Sequence, residues 1–345
     1  MAEQTAAKLQ TEQLIADVLG TIDREREREI VARRFGLFDR KETLEQIGEL
    51  LGITRERVRQ LEKSVVTRLK TAAEQQSLPQ LDQFQAVVTA YLETTGGVAR
   101  VSNLTAELVN DANRIEQARV SFLSQLCPSL IVLQEDDHFY NSVALKDSRD
   151  EKQLKNAVSG VIEAIKKLGE PKEIKDVAAA AGIADVKQAE ALASTSKQLA
   201  TLNGRWGLVK WPMVNPKNIR DKIYVILKEN GKHMHFNEIA EAIKGSDFKR
   251  KDVTTQAIHN ELIKDKRFVL IGRGIYALKE WGYKKGTVAD IISEVLREAG
   301  EPLHRDEIVK RVLKSRFVKE TTILLNLQGK PQFKRVAKAT YELAE

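Results

Sequence analysis

Four stretches of this chain begin alike, and their spacing constrains the fold more than any other feature. They read TTGGVARVSNLTAELV (94–109), KLGEPKEIKDVAAAAG (167–182), ENGKHMHFNEIAEAIK (229–244) and EAGEPLHRDEIVKRVL (298–313). Each carries a glycine where one helix ends, namely Gly97, Gly169, Gly231 or Gly300. A short extended piece and a second helix with paired apolar positions follow. Each also closes on an apolar run, a polar or glycine turn and an aromatic-led run, as in FVLIGRGIYALKEW (268–281), the signature of a hairpin. The glycines stand 72, 62 and 69 residues apart. That period is too long for a solenoid and suits a row of small domains, each with its own core. At 345 residues the chain also exceeds what one compact core holds.

Helix, short strand, helix, helix, hairpin is the plan of the winged helix. Junctions fall where apolar periodicity lapses: QQSLPQ near Pro79, KDSRDEK (146–152), WPMVNPKN (211–218) and YKKGT (283–287). The segment 219–282, through FNEIAEAI and GIYAL, resembles the HARE-HTH family. That family includes the N-terminal domain of the bacterial RNA polymerase delta subunit, and related domains occur in chromatin factors and restriction systems. The other three repeats resemble winged helices only generically.

Ahead of the repeats lies a different pattern. On a helix over 54–70, Val58, Leu61, Val65 and Leu69 fall on one arc, while Arg55, Glu56, Arg59, Gln60 and Lys63 fall opposite. Upstream, TLEQIGELLG repeats an apolar stripe with Leu44, Ile47, Leu50 and Leu51, and Thr43 and Gln46 have capping-box spacing. Gly52 supplies the turn between these helices. A third helix is expected over 24–34, with Asp23 as its N-cap and Gly36 past its end. Three short helices with a tight turn before a donor-rich last one make a helix-turn-helix. Two readings fit this pattern. The last helix enters a major groove, where arginine grips guanine, glutamine pairs with adenine and glutamate accepts from cytosine. Alternatively, the charged residues form the solvent face of an ordinary three-helix bundle.

Residues 24–70, through their RFGL, TLEQIG and TRERVRQLE blocks, closely resemble region 4 of bacterial primary sigma factors, the module that reads the promoter −35 element. The resemblance implies base-edge contacts from Arg55, Glu56, Arg59 and Gln60, with Arg57 and Lys63 nearer phosphates and Thr43 also at the DNA. It further implies docking on the beta-subunit flap of RNA polymerase. Sigma factors carry a −10-binding, strand-melting domain before region 4, and here only about twenty residues precede it. A −35 reader without promoter-melting ability of its own is therefore expected.

The expected fold class is thus mainly α: a helix-turn-helix (1–78) followed by a tandem array of small winged-helix α+β domains at 80–148, 149–214, 215–284 and 286–345. Lys249, Arg250 and Lys251 sit at or before the last helix of the HARE-HTH-like repeat, a position for phosphate contacts or simply a solvated turn. Arg273, between two glycines at a hairpin tip, either reaches a minor groove or marks a permissive turn. Winged helices also serve as protein-binding modules. Charge is uneven within a net of +7: residues 1–215 hold 29 Lys+Arg against 31 Asp+Glu, and 216–345 hold 27 against 18. The excess points to a polyanionic partner.

No metal is expected, since His233 and His235 have no cysteine or carboxylate at ligand spacing. Cys127 reads as a small buried residue, and one cysteine suits a reducing compartment. Trp206, Trp211 and Trp281 are expected to pack on their own cores. No nucleophile–base pair, phosphate loop or paired carboxylates stand out, so no enzyme activity, cofactor or small-molecule substrate is expected. No apolar run approaches the ~18 residues of a membrane span. The expectation is a cytoplasmic, nucleoid-associated, sequence-specific transcription regulator whose partners are double-stranded DNA and RNA polymerase. Two rivals remain: a non-specific chromosome-organising protein, and an accessory DNA-binding subunit of a restriction system.

Overall fold

The computed structural model describes residues 8–146, 150–250 and 252–344. Among them the chain is mainly helical, with four small antiparallel three-stranded sheets. It divides into two compact units, Met1–Lys210 and Trp211–Glu345.

The first unit opens with α1 (Thr11–Gly20), α2 (Glu25–Phe35), α3 (Leu44–Leu51) and α4 (Arg55–Glu74). The first repeat follows as α5 (Pro79–Thr95), β1 (Val98–Arg100), α6 (Val101–Leu108), α7 (Arg114–Leu126), β2 (Leu130–Leu133) and β3 (Ser142–Leu145). The second is α8 (Glu151–Leu168), β4 (Lys172–Glu173), α9 (Ile174–Ala181), α10 (Val186–Thr195), β5 (Leu199–Leu202) and β6 (Arg205–Leu208). The second unit holds the third repeat as α11 (Ile219–Asn230), β7 (Met234–His235), α12 (Phe236–Gly245), α13 (Thr255–Lys264), β8 (Phe268–Gly272) and β9 (Ile275–Leu278). The fourth is α14 (Val288–Ala299), β10 (Leu303–His304), α15 (Arg305–Ser315), α16 (Glu320–Gly329), β11 (Phe333–Ala337) and β12 (Thr340–Leu343). All four repeats share one topology. The short strand after the first helix pairs with the last strand of the hairpin, which lies in the middle of the sheet.

Two local expectations are corrected. Arg24, not Asp23, precedes α2, and it caps the helix with no side-chain bond. In the first repeat the helix ends at Gly96, and Gly97 is a second residue in the left-handed region.

The helix-turn-helix shares its core with the first repeat. Ile15, Val31, Val65 and Leu69 pack in one apolar cluster with Leu81, Phe84, Leu104 and Phe122, so the core runs without interruption past residue 78. A smaller cluster of Ile30, Ile47 and Val58, with Leu44, Leu51, Ile53 and Leu61 against it, joins α2, α3 and the first half of α4. One helix therefore serves two cores, its first turns in the small one and its later turns in the large one. Leu50, assigned to the apolar stripe from periodicity, is instead 55% exposed.

Within the first unit the two repeats are stitched by backbone. Tyr140 N–H donates to the Thr195 carbonyl and Lys197 N–H to that of His138, each at 2.8 Å. In the second unit the corresponding stitch covers a sheet edge. Phe317 N–H donates to the Ile271 carbonyl at 3.1 Å and the Arg316 guanidinium to that of Leu270 at 2.7 Å, both on edge strand β8.

Candidate nucleic-acid interface

The geometry of the interface begins at the turn between α3 and α4. Thr43 closes a complete capping box with Gln46, which starts α3, and Gly52 takes a left-handed conformation (φ 64°) to end it. Thr54 then caps α4 by accepting from Arg57 N–H at 3.2 Å. The turn folds back on α3 so closely that a Cβ on Gly48 would stand 2.7 Å from the Ile53 carbonyl oxygen. Only glycine fits there, and the contact fixes the angle at which the start of α4 leaves the protein.

The outer face of that helix is open. Val58 is fully buried, while Arg55, Glu56, Arg57, Arg59, Gln60 and Lys63 are all exposed, as is Thr43 at the start of α3. Glu56 accepts two hydrogen bonds from Arg59, from Nε at 2.9 Å and from Nη2 at 2.7 Å. Those bonds occupy one edge of the guanidinium. Among the described residues its end, with the remaining N–H donors on Nη1 and Nη2, makes no hydrogen bond, and that fork matches guanine O6 and N7. The hydrogen bonds from Arg59 hold the Glu56 carboxyl below the usual carboxylate range, and the same pairing raises Arg59. Glu56 is therefore an acceptor at neutral pH and orients Arg59. Arg57 donates from Nη1 to the Gln60 side-chain oxygen at 3.3 Å, and Arg55 lies 3.9 Å from Glu45. Gln60 Nε2 also reaches Glu56 at 3.5 Å, so Glu56, Arg57, Arg59 and Gln60 form a linked polar surface.

Behind it, ion pairs tie α4 to the scaffold. Arg34 of α2 reaches Glu62 at 3.1 Å, and Arg68 bonds to the nearly buried Glu27. Arg119 of α7, only 5% exposed, donates from Nε to the Leu37 carbonyl at 2.8 Å and from Nη1 to Glu116 at 2.6 Å, with Glu12 at 3.1 Å. Phe35 of α2 and Phe122 of α7 also meet, their ring centroids 4.7 Å apart. These supporting residues were missed from sequence. A signal existed for one of them: Arg119 lies on the stripe of Phe122, Leu123 and Leu126, where a charge needs partners.

In the second unit, Lys249 and Arg250 are exposed in the loop between α12 and α13, and Lys251 lies outside the described residues. The carbonyls of Lys249 and Arg250 accept from the Nζ of Lys222, at 2.8 and 2.6 Å. Lys222 is only 4% exposed, and its ammonium is disfavoured first by burial and then by nearby Arg250. Arg250 adopts φ 54°, so this loop is pinned from beneath in an uncommon conformation. Arg273 is exposed at the β8–β9 turn. There Gly274 (φ 70°) packs so close to His235 that a Cβ would stand 2.5 Å from its Nε2. Trp206 is buried, Trp211 and Trp281 are half-buried, and Cys127 is buried with its thiol pushed up to about 12. No helix among the described residues is long and apolar enough to cross a membrane.

A short helix ending in a tight turn, followed by a longer one with its inner face buried and its outer face donor-rich, defines a helix-turn-helix. Residues 24–71 match the family described as Sigma-70, region 4. Over 70 residues the chain is 46% identical to RNA polymerase sigma factor SigA of Bacillus sp, and over 67 residues it is 43% identical to RNA polymerase sigma factor sigB of Arabidopsis thaliana. These alignments cover 20% and 19% of this chain, and only 18% and 11% of the respective relatives.

Proposed function

We propose that this protein is a sequence-specific DNA-binding transcription regulator that works with bacterial RNA polymerase and reads a −35-like element through α4. The observation that carries this reading is the open face of α4, where Glu56 orients Arg59 and leaves its fork free. That face lies within the segment matching Sigma-70, region 4. Arg55, Glu56, Arg59 and Gln60 contact base edges, Arg57, Lys63 and Thr43 lie toward phosphates, and the same module docks on the polymerase beta-subunit flap. The four repeats are winged helices, the third of the HARE-HTH type. Their common topology of helix, strand, helix, helix and hairpin supports this assignment. Lys249 and Arg250 then add phosphate contacts, and Arg273 reaches a minor groove. The protein acts in the cytoplasm at the nucleoid, and it has no enzymatic role.

On this reading the protein acts on polymerase that already carries a sigma factor and does not itself melt promoters. Opening a promoter requires capturing flipped −10 bases on aromatic side chains, and the hairpin rings Trp206, Tyr276 and Tyr341 are buried in their own cores. Reconstituted transcription on linear duplex templates tests it. Output should change when the protein is added to polymerase carrying a primary sigma factor, and core polymerase with this protein alone should make no specific transcript. Specific run-off transcripts from that second mixture would overturn the reading. One observation favours a second reading, a chromosome-organising protein: the excess of Lys+Arg in residues 216–345, 27 against 18 acidic residues. Equal affinity for all duplex sequences at one salt concentration would select it.

A further inference from the structure

The second unit contains a basic groove that the reading of α4 does not use. It has a volume of about 790 Å³ and runs between the C-terminal end of α13, strand β8 and the chain leading into α14. Lys264, Lys266, Lys279 and Lys285 line it, and all four are exposed. None of their ammonium groups has a carboxylate partner among the described residues. The acidic residues of the groove are already matched. Asp265 pairs with Arg267 at 2.8 Å, and Glu294 pairs with Lys284 at 2.8 Å. Four positive charges are therefore left facing one concavity.

The groove is not only charged. Ile263 and Leu270, 62% and 43% exposed, stand on its wall, and the half-buried Tyr283 lines it as well. A duplex presents only phosphates and sugars to a surface of this kind and leaves such apolar area wet. A single strand supplies both halves of the match, because its phosphates meet lysines while its unstacked bases cover apolar and aromatic side chains. The groove takes the far end of α13 from the Lys249–Arg250 loop, about 15 Å away along a ten-residue helix. It is therefore a separate surface from the one at the start of that helix.

We propose that this groove binds a short segment of single-stranded nucleic acid. Lys264, Lys266, Lys279 and Lys285 hold successive phosphates, and a base rests against Tyr283 and Leu270. The site is independent of the role assigned to α4. In the setting of transcription it gives the second unit a hold on strands that polymerase has already separated.

Fluorescence anisotropy on the full chain with labelled oligothymidylate of about 12 nucleotides tests this, that length lying within the usual range for such sites. A duplex of the same length and a nucleoside triphosphate serve as parallel probes. Replacing the four lysines with glutamine should weaken oligothymidylate binding at least about tenfold and flatten its log–log salt dependence by about 3, the share of four phosphate contacts. Arginine at the same positions should restore binding. Tyr283→Leu should cost about 5- to 150-fold and Tyr283→Phe little, as stacking on the ring requires. Arg59→Ala should lower duplex binding and leave oligothymidylate binding intact, which separates this site from α4. Wild-type oligothymidylate affinity in the four-lysine variant would overturn the proposal. So would loss confined to the duplex, loss of oligothymidylate binding in Arg59→Ala, or a groove that takes the nucleoside triphosphate and no strand.

Discussion

Arg119 ties the helix-turn-helix to the first repeat, and replacing it with methionine removes that tie while keeping most of the volume. Its side chain is 7% exposed and is held by the Leu37 carbonyl at 2.8 Å and by Glu116 at 2.6 Å. Losing it leaves a buried carbonyl without its donor, worth about 1–3 kcal/mol, and leaves the 16%-exposed Glu116 carboxylate without its cation. Breaking a buried pair by removing one partner typically costs about 3–5 kcal/mol. In a unit of roughly 200 residues each kcal/mol moves the midpoint by about 2–4 °C. Arg119→Met should therefore lower the melting transition of the first unit by roughly 6–20 °C. Differential scanning calorimetry of the full chain measures this, with the transition of the second unit as internal reference. Converting Glu116 to leucine as well should recover much of the loss, because an apolar pair avoids the stranded charge. A shift below about 2 °C for Arg119→Met would refute the argument that this contact anchors the module.

Gly48→Ala should destabilise the first unit by about 1–3 kcal/mol through overpacking and weaken duplex binding, although residue 48 touches no base. Normal stability with normal binding would show that the approach of the turn to α3 is not tight. Asp265 is held below the usual carboxylate range, first by its hydrogen bond from Arg267. Its contribution is thus present at neutral pH and fades as pH falls below about 4 through the folded-state value. Asp265→Asn should lower the urea midpoint of the second unit at neutral pH, and the gap from wild type should close on acidification. A gap independent of pH would contradict that assignment. Cys127, with its thiol pushed up to about 12 by burial, should resist alkylation at pH near 8 until the protein unfolds. Rapid labelling of the native protein would show that this site is open.

What could be read from sequence was what repeats locally. Successive residues of a helix turn by a fixed angle, so the arc of Val58, Val65 and Leu69 predicts the inner face of α4, and all three are buried. Capping is equally local: Thr43 and Gln46 close the box their spacing suggests, and Gly36, Gly52, Gly169, Gly231 and Gly300 end helices in the left-handed region. The errors are non-local or depend on side-chain choice. Leu50 has an apolar side chain in the right period, but no second element covers it. The common core reaching from Ile15 to Phe122, the clamp of Arg119 on Leu37 and the buried Lys222 under the 249–250 loop join residues far apart in sequence. Periodicity reports which face is apolar, and it does not report what that face meets. In the candidate site, the residue types on α4 follow from the pattern. The bidentate hold of Glu56 on Arg59 depends on rotamers that spacing alone leaves open.

The most direct test of the central claim is selection of binding sites from a randomised duplex library, run with the full-length protein and with Arg59→Ala in parallel. The wild type should enrich one short motif. The variant should lose preference at a single position of it, with affinity for the motif down about 5- to 150-fold, the worth of one bidentate base contact at ~1–3 kcal/mol. An unenriched library, or an identical motif at equal affinity from both proteins, would contradict the claim that α4 reads sequence through Arg59.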